Sequence, residues 1–468
     1  MDLAMNERCR TMHGSDIICV TLLLIIGIIF HSRWLPPNHY MLPPALMPLA
    51  NPFEGNASTP IWNALQWDSA GQYWAWRHVA RKMLRGGIMP LWNRYQGCGS
   101  PLLANPQVAV FYPLNLILWF SVLPRAFVWV ALLHTLVALL CTYGLLRCWR
   151  VSPWGAMGAA IVYTLSAPMV TWQLLPTATN TMAWLPGVLW AISAYWQRQS
   201  TFRWASITAT SVMLLLAGHP QLALYSMLTV ALIVVILWWC WWRVSDTDLL
   251  RHIQLMISAL IAVAFAIGIA TVQLLPALEL SQYAHRAGAP TWAGYKWFVA
   301  RGFRLPELAM LFLPYAWGRP QDGIYIGREN FADYCPYVGL LTMMFVALIA
   351  FSALRYLRKW RSSNNDANND IHAKMSTIPY VISMSLVIFG LLFATGSWFN
   401  APFYFLLPGF AHAGTPTRAW FIATLGIAML AGMSIDLFGR MSQRWCNAIA
   451  SWRILALVIT TVLIVQSI

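Results

Sequence analysis

Residues 67–113 read WDSAGQYWAWRHVARKMLRGGIMPLWNRYQGCGSPLLANPQVAVFYP, and apolar segments long enough to cross a bilayer lie on either side of them. This stretch holds one acidic residue, Asp68, and five Lys or Arg residues, with many tryptophans, glycines and prolines. A passive connection between membrane helices has no need of this composition. We therefore expect 67–113 to carry a functional face.

The composition of the whole chain is that of a membrane protein. Of its 468 residues 59% are hydrophobic and only 10% are charged, whereas soluble domains have about 25% charged residues. The 27 tryptophans and 17 tyrosines are typical of aromatic belts at membrane interfaces. The net charge of +15 indicates basic loops beside anionic lipid, and no nucleic-acid partner is expected.

The apolar runs predict an all-α integral membrane protein, a single transmembrane domain over 1–468. The run 108–123 is interrupted by Pro113, so we expect it to be embedded without crossing. About eleven spans remain, at 17–35, 126–146, 153–172, 182–197, 204–217, 219–242, 253–275, 335–354, 378–396, 419–438 and 454–468.

The distribution of Lys and Arg predicts the orientation of these spans. With a cytoplasmic N-terminus, the cations are denser in the inner loops than in the outer ones, as the positive-inside rule requires. Three long segments then share the outer side: a first extracytoplasmic loop at 36–125, a second at 276–334, and the segment 397–418. The loop 355–376 is expected to be a solvated cytoplasmic linker.

Asp68 has two interpretations that the sequence leaves open. It precedes a predicted helix, 69–85, that Gly86-Gly87 would end, so its carboxylate suits an N-cap or first-turn position. Alternatively it is a general base, or a ligand for a divalent cation such as Mg or Mn, directed at an acceptor hydroxyl. On an ideal helix Gln72 shares its face.

The cations of the predicted helix form a separate feature. Arg77, Arg81 and Arg85 recur every four residues, and on an ideal α-helix Arg77 lies opposite Asp68. We interpret the stripe mainly as a contact with lipid phosphates at the outer surface. Arg77 or the neighbouring Lys82 could still reach a substrate, because Arg geometry suits a lipid-linked phosphate.

Other outer segments supply further candidate residues for substrate binding. The outer turns at 105–107 and 218–221 both contain Pro-Gln, and the second also contains the titratable His219, for which a hairpin cap is the simpler interpretation. The complete set of outer candidates besides the first-loop helix is Asn105, Gln107, His219, Glu279, Arg304 and Arg418.

The order of the short motifs along the chain resembles that of the YfhO-like bacterial membrane proteins, which are grouped with the GT-C glycosyltransferases. No single motif is specific, but the ordered set covers nearly the whole chain. The matching pieces are Asp68 with Gln72-Tyr73, Pro90-Leu91-Trp92-Asn93, residues 97–107, Phe111-Tyr112-Pro113-Leu114-Asn115, Gly218-His219-Pro220-Gln221, residues 274–280 and Pro416-Thr417-Arg418.

This resemblance implies a GT-C-like bundle in the bacterial inner membrane. Such an enzyme moves a sugar from a polyprenyl-phosphate carrier to an acceptor outside the cytoplasm. In GT-C enzymes an acidic residue of the first outer loop serves the chemistry, and Asp68 is the matching position; some members use a divalent metal there. YfhO-like chains are generally longer, so we expect a short or truncated member.

We therefore expect a glycosyltransferase whose Asp68 activates the acceptor hydroxyl of a cell-surface polymer, lipid or protein. Arg77, Lys82, Arg304 and Arg418 are the candidates for holding the phosphate of the donor. Two alternatives stay open. A lipid or glycan transporter would place polar groups along its spans, and a non-catalytic membrane scaffold would need no site at all.

Overall fold

A computed structural model of the chain describes residues 14–37, 39, 41, 66–244, 249–284, 288–362 and 371–442. This part of the chain is helical apart from one pair of two-residue strands. Six of its helices are long and apolar enough to cross a membrane: Gly14–Trp34, Leu123–Cys148, Pro220–Arg243, Leu249–Ser281, Thr377–Ala394 and Pro416–Gly439. The chain is thus a helical membrane protein, as predicted.

The helices are labelled in chain order. Their bounds are α1 Gly14–His31, α2 Gln66–Asp68, α3 Ala75–Arg85, α4 Leu116–Phe120, α5 Leu123–Cys148, α6 Pro153–Thr164, α7 Ala167–Thr171, α8 Pro176–Gln197, α9 Thr201–Leu216, α10 Pro220–Val244, α11 Leu249–Ser281, α12 Trp292–Ala300, α13 Phe331–Tyr334, α14 Leu340–Ser362, α15 Ile371–Ala394, α16 Ala401–Leu406 and α17 Trp420–Ser442. The strands are β1 Trp92–Asn93 and β2 Ser100–Pro101, paired antiparallel.

Ten of the eleven predicted apolar runs are helical where the structure describes them, and 454–468 lies outside the described residues. The run 153–172 is broken, because α6 ends at Thr164 and α7 begins at Ala167. Pro168 lacks a backbone N–H and starts a new helix. At 1.5 Å per residue, the 12-residue α6 is much shorter than a bilayer core of about 30 Å.

Two predicted loop boundaries were wrong. The segment 276–334 was expected to begin at Pro276, but α11 continues through Pro276 to Ser281, and membrane helices tolerate proline when neighbouring groups satisfy the freed carbonyl. The linker 355–376 is narrower than predicted, because α14 extends to Ser362 and α15 begins at Ile371. Residues 363–370 lie outside the described part of the chain.

The embedded run 108–123 contains no long helix. It holds a 3₁₀ turn at Pro113–Asn115 and the five-residue helix α4. Five residues of α-helix rise only about 8 Å, so this run does not cross a bilayer. Its Tyr112 shares a buried hydrogen bond of 2.5 Å with His134 of α5.

The segments predicted to share the outer side meet at one end of the helix bundle. The backbone N–H of Phe303 donates to the carbonyl of Ala394 at 2.9 Å, and the indole of Trp172 donates to the carbonyl of Ala332 at 3.1 Å. The amide of Gln273 donates to the carbonyl of Leu103 at 2.8 Å. We call this end of the bundle the site end.

The segments predicted to lie inside meet at the opposite end. Asp16, near the start of α1, forms an ion pair of 2.6 Å with Arg147, near the end of α5. Gln197 at the end of α8 donates to the carbonyl of Cys148. Three of the helix ends predicted to lie inside, the start of α1 and the ends of α5 and α8, are therefore close together.

Candidate functional site

The helical stretch 66–85, here called the first-loop helix, carries Asp68 into the site end of the bundle. It is made of α2, a π-helical turn at Ser69–Trp74, and α3. Gly86 follows α3, and Gly87 adopts a φ of +71°, a left-handed conformation that glycine adopts without a steric penalty. The predicted end of the helix at Gly86-Gly87 is confirmed.

Asp68 is not an N-cap. Its backbone is helical, with φ −60° and ψ −32°, and its side chain makes no cap hydrogen bond. Instead Oδ1 of Asp68 accepts a hydrogen bond of 2.9 Å from the amide nitrogen of Gln72. The predicted pairing of these two residues on one face is confirmed, and the amide of Gln72 fixes the orientation of the carboxylate.

The carboxyl group of Asp68 holds its proton more tightly in the protein than it would in water. Partial burial raises the pKa of the Asp68 carboxyl, and the positive charge of Arg418 lowers that pKa part of the way back. A raised carboxyl pKa is the property of an effective general base near neutral pH. Asp68 and Arg418, 350 positions apart in sequence, are therefore close enough to act on one another electrostatically.

Tyr73 lies beside this pair, inside the protein. Its hydroxyl shares a buried hydrogen bond of 2.8 Å with Thr177 at the start of α8. Burial raises the pKa of Tyr73, while the charges of Arg77, Asp68 and Arg418 all act on its hydroxyl. Tyr73 thus joins the first-loop helix to the bundle at the point where these three charged residues converge.

Arg418 is half-buried at the site end, and two of its guanidinium nitrogens make hydrogen bonds to side chains. Its Nε donates to Oδ1 of Asp333 at 2.9 Å, and its Nη1 donates to Oε1 of Gln221 at 3.2 Å. Its guanidinium carbon lies 4.8 Å from the ring centre of Trp172. Arg418 therefore joins α13, α10 and the segment before α17 in one network.

His219 is a structural cap. Its Nδ1 accepts a hydrogen bond of 3.3 Å from the backbone N–H of Leu222, which satisfies one orphan donor of α10. Burial, followed by the charge of Arg418, lowers the pKa of His219 to about 3. The ring is therefore neutral near pH 7, with its proton on Nε2.

The two Pro-Gln turns pack against each other. A Cβ added to Gly218, which has a φ of +100°, would approach the carbonyl oxygen of Pro106 to 2.6 Å. Asn105 Oδ1 accepts from the backbone N–H of Gln107 at 3.0 Å, which caps the 3₁₀ turn Pro106–Val108. Asn105 thus holds the turn, and Gln107, half-buried beside it, is next to the His219 hairpin.

Arg77 contradicts the interpretation that the arginine stripe rests on lipid. Its side chain is completely buried, between the rings of Tyr73 at 5.7 Å and Phe127 at 5.3 Å from its guanidinium carbon. Among the atoms the structure describes, its three side-chain nitrogens have no hydrogen-bond partner. The first-loop helix also contains a π-helical turn at Ser69–Trp74, which holds more residues than an α-helical turn, so its faces do not follow ideal α-helical spacing.

Three predicted candidates lie away from this group. Lys82, Glu279 and Arg304 are exposed. The backbone N–H of Arg304 donates to Oε2 of Glu307 at 2.6 Å, which starts the 3₁₀ segment Leu305–Leu311. Within the described part of the chain, no hydrogen bond or ion pair links these three residues to Asp68.

The groups around Asp68 do not suit a divalent cation. Mg²⁺ and Mn²⁺ take several oxygen ligands, but Gln72 presents its amide nitrogen to Asp68, and the nearby cation Arg418 repels a metal. In the residues that the structure describes, no three His, Cys, Asp or Glu side chains are grouped to hold a metal ion.

A small cavity lies beside Arg418, bordered by Trp172, Asp333, Phe303 and Trp420. Its volume is about 20 Å³, which is room for about one water molecule. Ligand pockets for small molecules have volumes of about 300–1,000 Å³. A sugar phosphate would therefore enter only if the surrounding outer segments separated.

Sequence reasoning assigned no role to Asp333, Gln221, Tyr73 or Thr177. Asp333 pairs with Arg418, 85 positions further along the chain, and no local sequence pattern predicts a pair so far apart. Gln221 follows His219 and Pro220, and its amide donates to the carbonyl of Thr415 at 2.8 Å. The recurrence of Pro-Gln in two outer turns was the one available signal for it.

No family model, no curated protein and no solved structure matches this chain.

Proposed function

We propose that this chain is a GT-C-like, YfhO-like glycosyltransferase of a bacterial inner membrane, with about eleven spans, a cytoplasmic N-terminus and an extracytoplasmic active face. It would transfer a sugar from a polyprenyl-phosphate donor to an acceptor hydroxyl on a cell-surface polymer, lipid or protein. The observation that carries the proposal is Asp68, a carboxylate oriented by Gln72, with its pKa raised by burial, and within electrostatic range of Arg418.

The chemistry requires a base and a stabilised leaving group. Asp68 takes the proton of the acceptor hydroxyl through its carboxylate, and the acceptor oxygen bonds to the anomeric carbon of the donor sugar. The bond from that carbon to the phosphate oxygen breaks, and the carrier phosphate leaves with the electron pair. Attack on the opposite face inverts the configuration at this carbon. A nearby guanidinium such as that of Arg418 stabilises the departing charge.

The meeting of distant segments supports a working site at this end. The outer segments 66–125 and 397–418 contact the starts of α8 and α10, and the outer segment 282–334 is joined to 397–418 by the pair Asp333–Arg418. Loops that converge on a rigid bundle are typical carriers of binding and catalytic groups. The small cavity beside Arg418 implies that the outer segments open to admit substrate and close over it, a common arrangement in transferases that exclude water.

The test is a deletion strain of the source organism, profiled for surface polymers, glycolipids and lipid-linked sugars. A glycosyltransferase predicts one missing glycan modification together with accumulation of its lipid-linked donor, and plasmid-borne wild type restores both. A changed donor pool with unchanged glycans would indicate a transporter. Unchanged glycans and unchanged donors would contradict the proposal and favour a scaffold.

A further inference from the structure

The three arginines of the first-loop helix differ greatly in exposure. Arg85 is exposed, Arg81 is half-buried, and Arg77 is completely buried. They lie one turn apart on one face of α3. The positive charges therefore run from the protein surface to its interior.

Arg85 has a structural role that explains it. Its Nε donates to the carbonyl of Trp119 at 3.2 Å and its Nη2 donates to that of Phe120 at 2.8 Å. These carbonyls are at the end of the short helix α4, where the last turn leaves acceptors unsatisfied. Arg85 therefore fastens the end of the first-loop helix beside α4.

Arg77 and Arg81 have no such explanation. All three side-chain nitrogens of Arg77, and Nε of Arg81, are buried without a hydrogen-bond partner in the described part of the chain. A buried charge without a partner is strongly unfavourable. The contacts of Arg77 with Tyr73 and Phe127 offset only part of this, because a cation–π contact contributes about 0.5–2 kcal/mol.

The surface beside these arginines is apolar. Leu116, Phe120 and Val122, on and just after α4, are 55%, 74% and 65% exposed. They lie in the embedded segment that does not cross the membrane, next to Arg85. A hydrocarbon chain against these side chains would place a headgroup beside Arg81.

We infer that Arg77 and Arg81 form a phosphate-binding subsite for the lipid-linked substrate, which enters sideways between the first-loop helix and α4. Its isoprenoid chain lies along Leu116, Phe120 and Val122, and its phosphate passes Arg81 to reach Arg77. This inference rests on the proposed function for the identity of the ligand. Bulk phospholipid is disfavoured as the occupant, because Arg77 is completely buried and is reached only when the first-loop helix and α4 separate, whereas bulk lipid contacts exposed cations.

The route also explains how the phosphate approaches the catalytic base. Tyr73 is one turn before Arg77 on the same helix, and its hydroxyl is acted on by both Arg77 and Asp68. In the proposed complex the phosphate of the substrate binds Arg77. The sugar attached to that phosphate extends past Tyr73 toward Asp68. Arg418, already paired with Asp333, has less free charge to offer this phosphate than Arg77.

The test measures binding of farnesyl phosphate, a short isoprenoid phosphate, to the full-length protein in phosphatidylcholine nanodiscs. Arg77→Gln and Arg81→Gln should each weaken binding at least tenfold. Arg94→Gln is the matched control, because Arg94 is an exposed cation of the same loop, and its affinity should stay within twofold of wild type. Wild-type affinity in both Arg77→Gln and Arg81→Gln would overturn the inference. If Arg77→Gln fails to fold, the affinity of Arg81→Gln for farnesyl phosphate is the test, and wild-type affinity in that variant overturns the inference.

Two further probes identify the source of the phosphate. Inorganic phosphate should bind more weakly than farnesyl phosphate, since it lacks the chain that contacts α4. Phosphatidylglycerol should bind weakly and without dependence on Arg77. If phosphatidylglycerol binds as tightly as farnesyl phosphate and loses affinity equally in Arg77→Gln, the subsite is a phospholipid contact and the inference fails.

The outcomes separate this inference from the proposed function. Arginine-dependent binding in a protein whose deletion leaves glycans and donors unchanged would sustain the subsite and contradict the glycosyltransferase. If deletion causes a glycan defect but farnesyl phosphate binding does not depend on Arg77 or Arg81, the glycosyltransferase is supported and the phosphate-binding subsite is contradicted.

Discussion

Arg418 and Arg77 are two arginines at the same end of the bundle, the first half-buried and the second completely buried, and their surroundings are opposite. Arg418 is hydrogen-bonded to Asp333 and Gln221 and stacked on Trp172. Arg77 has two aromatic rings and no hydrogen-bond partner among the described atoms. The first charge is compensated within the fold, whereas the second is not.

The difference indicates that the two arginines serve different purposes. A compensated pair such as Arg418–Asp333 holds separate segments in register and resists the loss of either partner. An uncompensated charge destabilises the ligand-free protein, and such strain is commonly kept where a ligand will relieve it. The comparison therefore predicts opposite effects on stability for equivalent substitutions.

The largest expected effect is at the compensated arginine. Arg418→Met leaves the carboxylate of Asp333, 5% exposed, buried without its cation, and should lower the free energy of unfolding by about 3–5 kcal/mol. Denaturant unfolding of the purified protein in detergent measures this. The double variant Arg418→Met/Asp333→Leu should recover most of the loss, and failure to do so would show that the ion pair is not the cause.

The substitution at Arg77 should act in the opposite direction. Burial lowers the pKa of Arg77 to about 10, so it is charged at neutral pH without a partner. Arg77→Met keeps the length and removes the charge, and should raise the free energy of unfolding by about 1–2 kcal/mol. Arg94→Met at the exposed control position should change it by less than about 0.5 kcal/mol. Destabilisation by Arg77→Met would mean that this charge is compensated after all.

A smaller effect concerns the pH dependence of transfer. The base must be ionised, so the rate should fall as pH decreases through the pKa of Asp68, which burial raises above the ordinary value of 3.8. Arg418 lowers that pKa, so Arg418→Gln should move the acidic limb to higher pH and Arg418→Lys should move it less. The pH of the acidic limb is measured from rate–pH profiles of the wild type and the two folded variants. If the acidic limb lies at the same pH in all three proteins, the charge of Arg418 does not affect the pKa of Asp68.

The smallest effect is expected at His219. His219→Ala removes the acceptor for the N–H of Leu222 and should lower the free energy of unfolding by about 1 kcal/mol, a typical cap contribution, whereas His219→Asn should retain most of it. Because the pKa of His219 is about 3, His219 should not titrate near pH 6.5. The rate–pH profiles of the wild type and of His219→Asn should therefore be the same around that pH, with no inflection in the wild type that the variant lacks. Such an inflection would mean that His219 titrates as an ordinary histidine.

Much of the fold could be predicted from the sequence, because long apolar runs and the alternation of basic loops are strong local signals. The end of the first-loop helix at Gly86-Gly87 followed from the conformational freedom of glycine. Pro276 was wrongly taken as the end of a helix, because membrane helices tolerate an internal proline. The break in the helix before Pro168 was not predicted. These positions depend on what the neighbouring helices satisfy, which periodicity does not reveal.

The candidate site could be predicted only in part. Asp68 and Gln72 are four residues apart, so helical spacing was enough to pair them. The pairing of Arg418 with Asp333 joins positions 85 apart, and Arg77 is buried against Phe127, 50 positions further along the chain. Both are long-range contacts, which a local pattern in the sequence does not reveal.

The central claim is that Asp68 is the base of a transfer reaction. Its most direct test is complementation of the deletion strain with Asp68→Asn, alongside Asp322→Asn as an exposed acid of another outer segment. The account predicts that Asp68→Asn reaches the membrane at wild-type levels and restores less than about 1% of the missing glycan, in line with the 10²–10⁴-fold contribution of a general base, whereas Asp322→Asn restores it fully. Full restoration by Asp68→Asn would contradict the account.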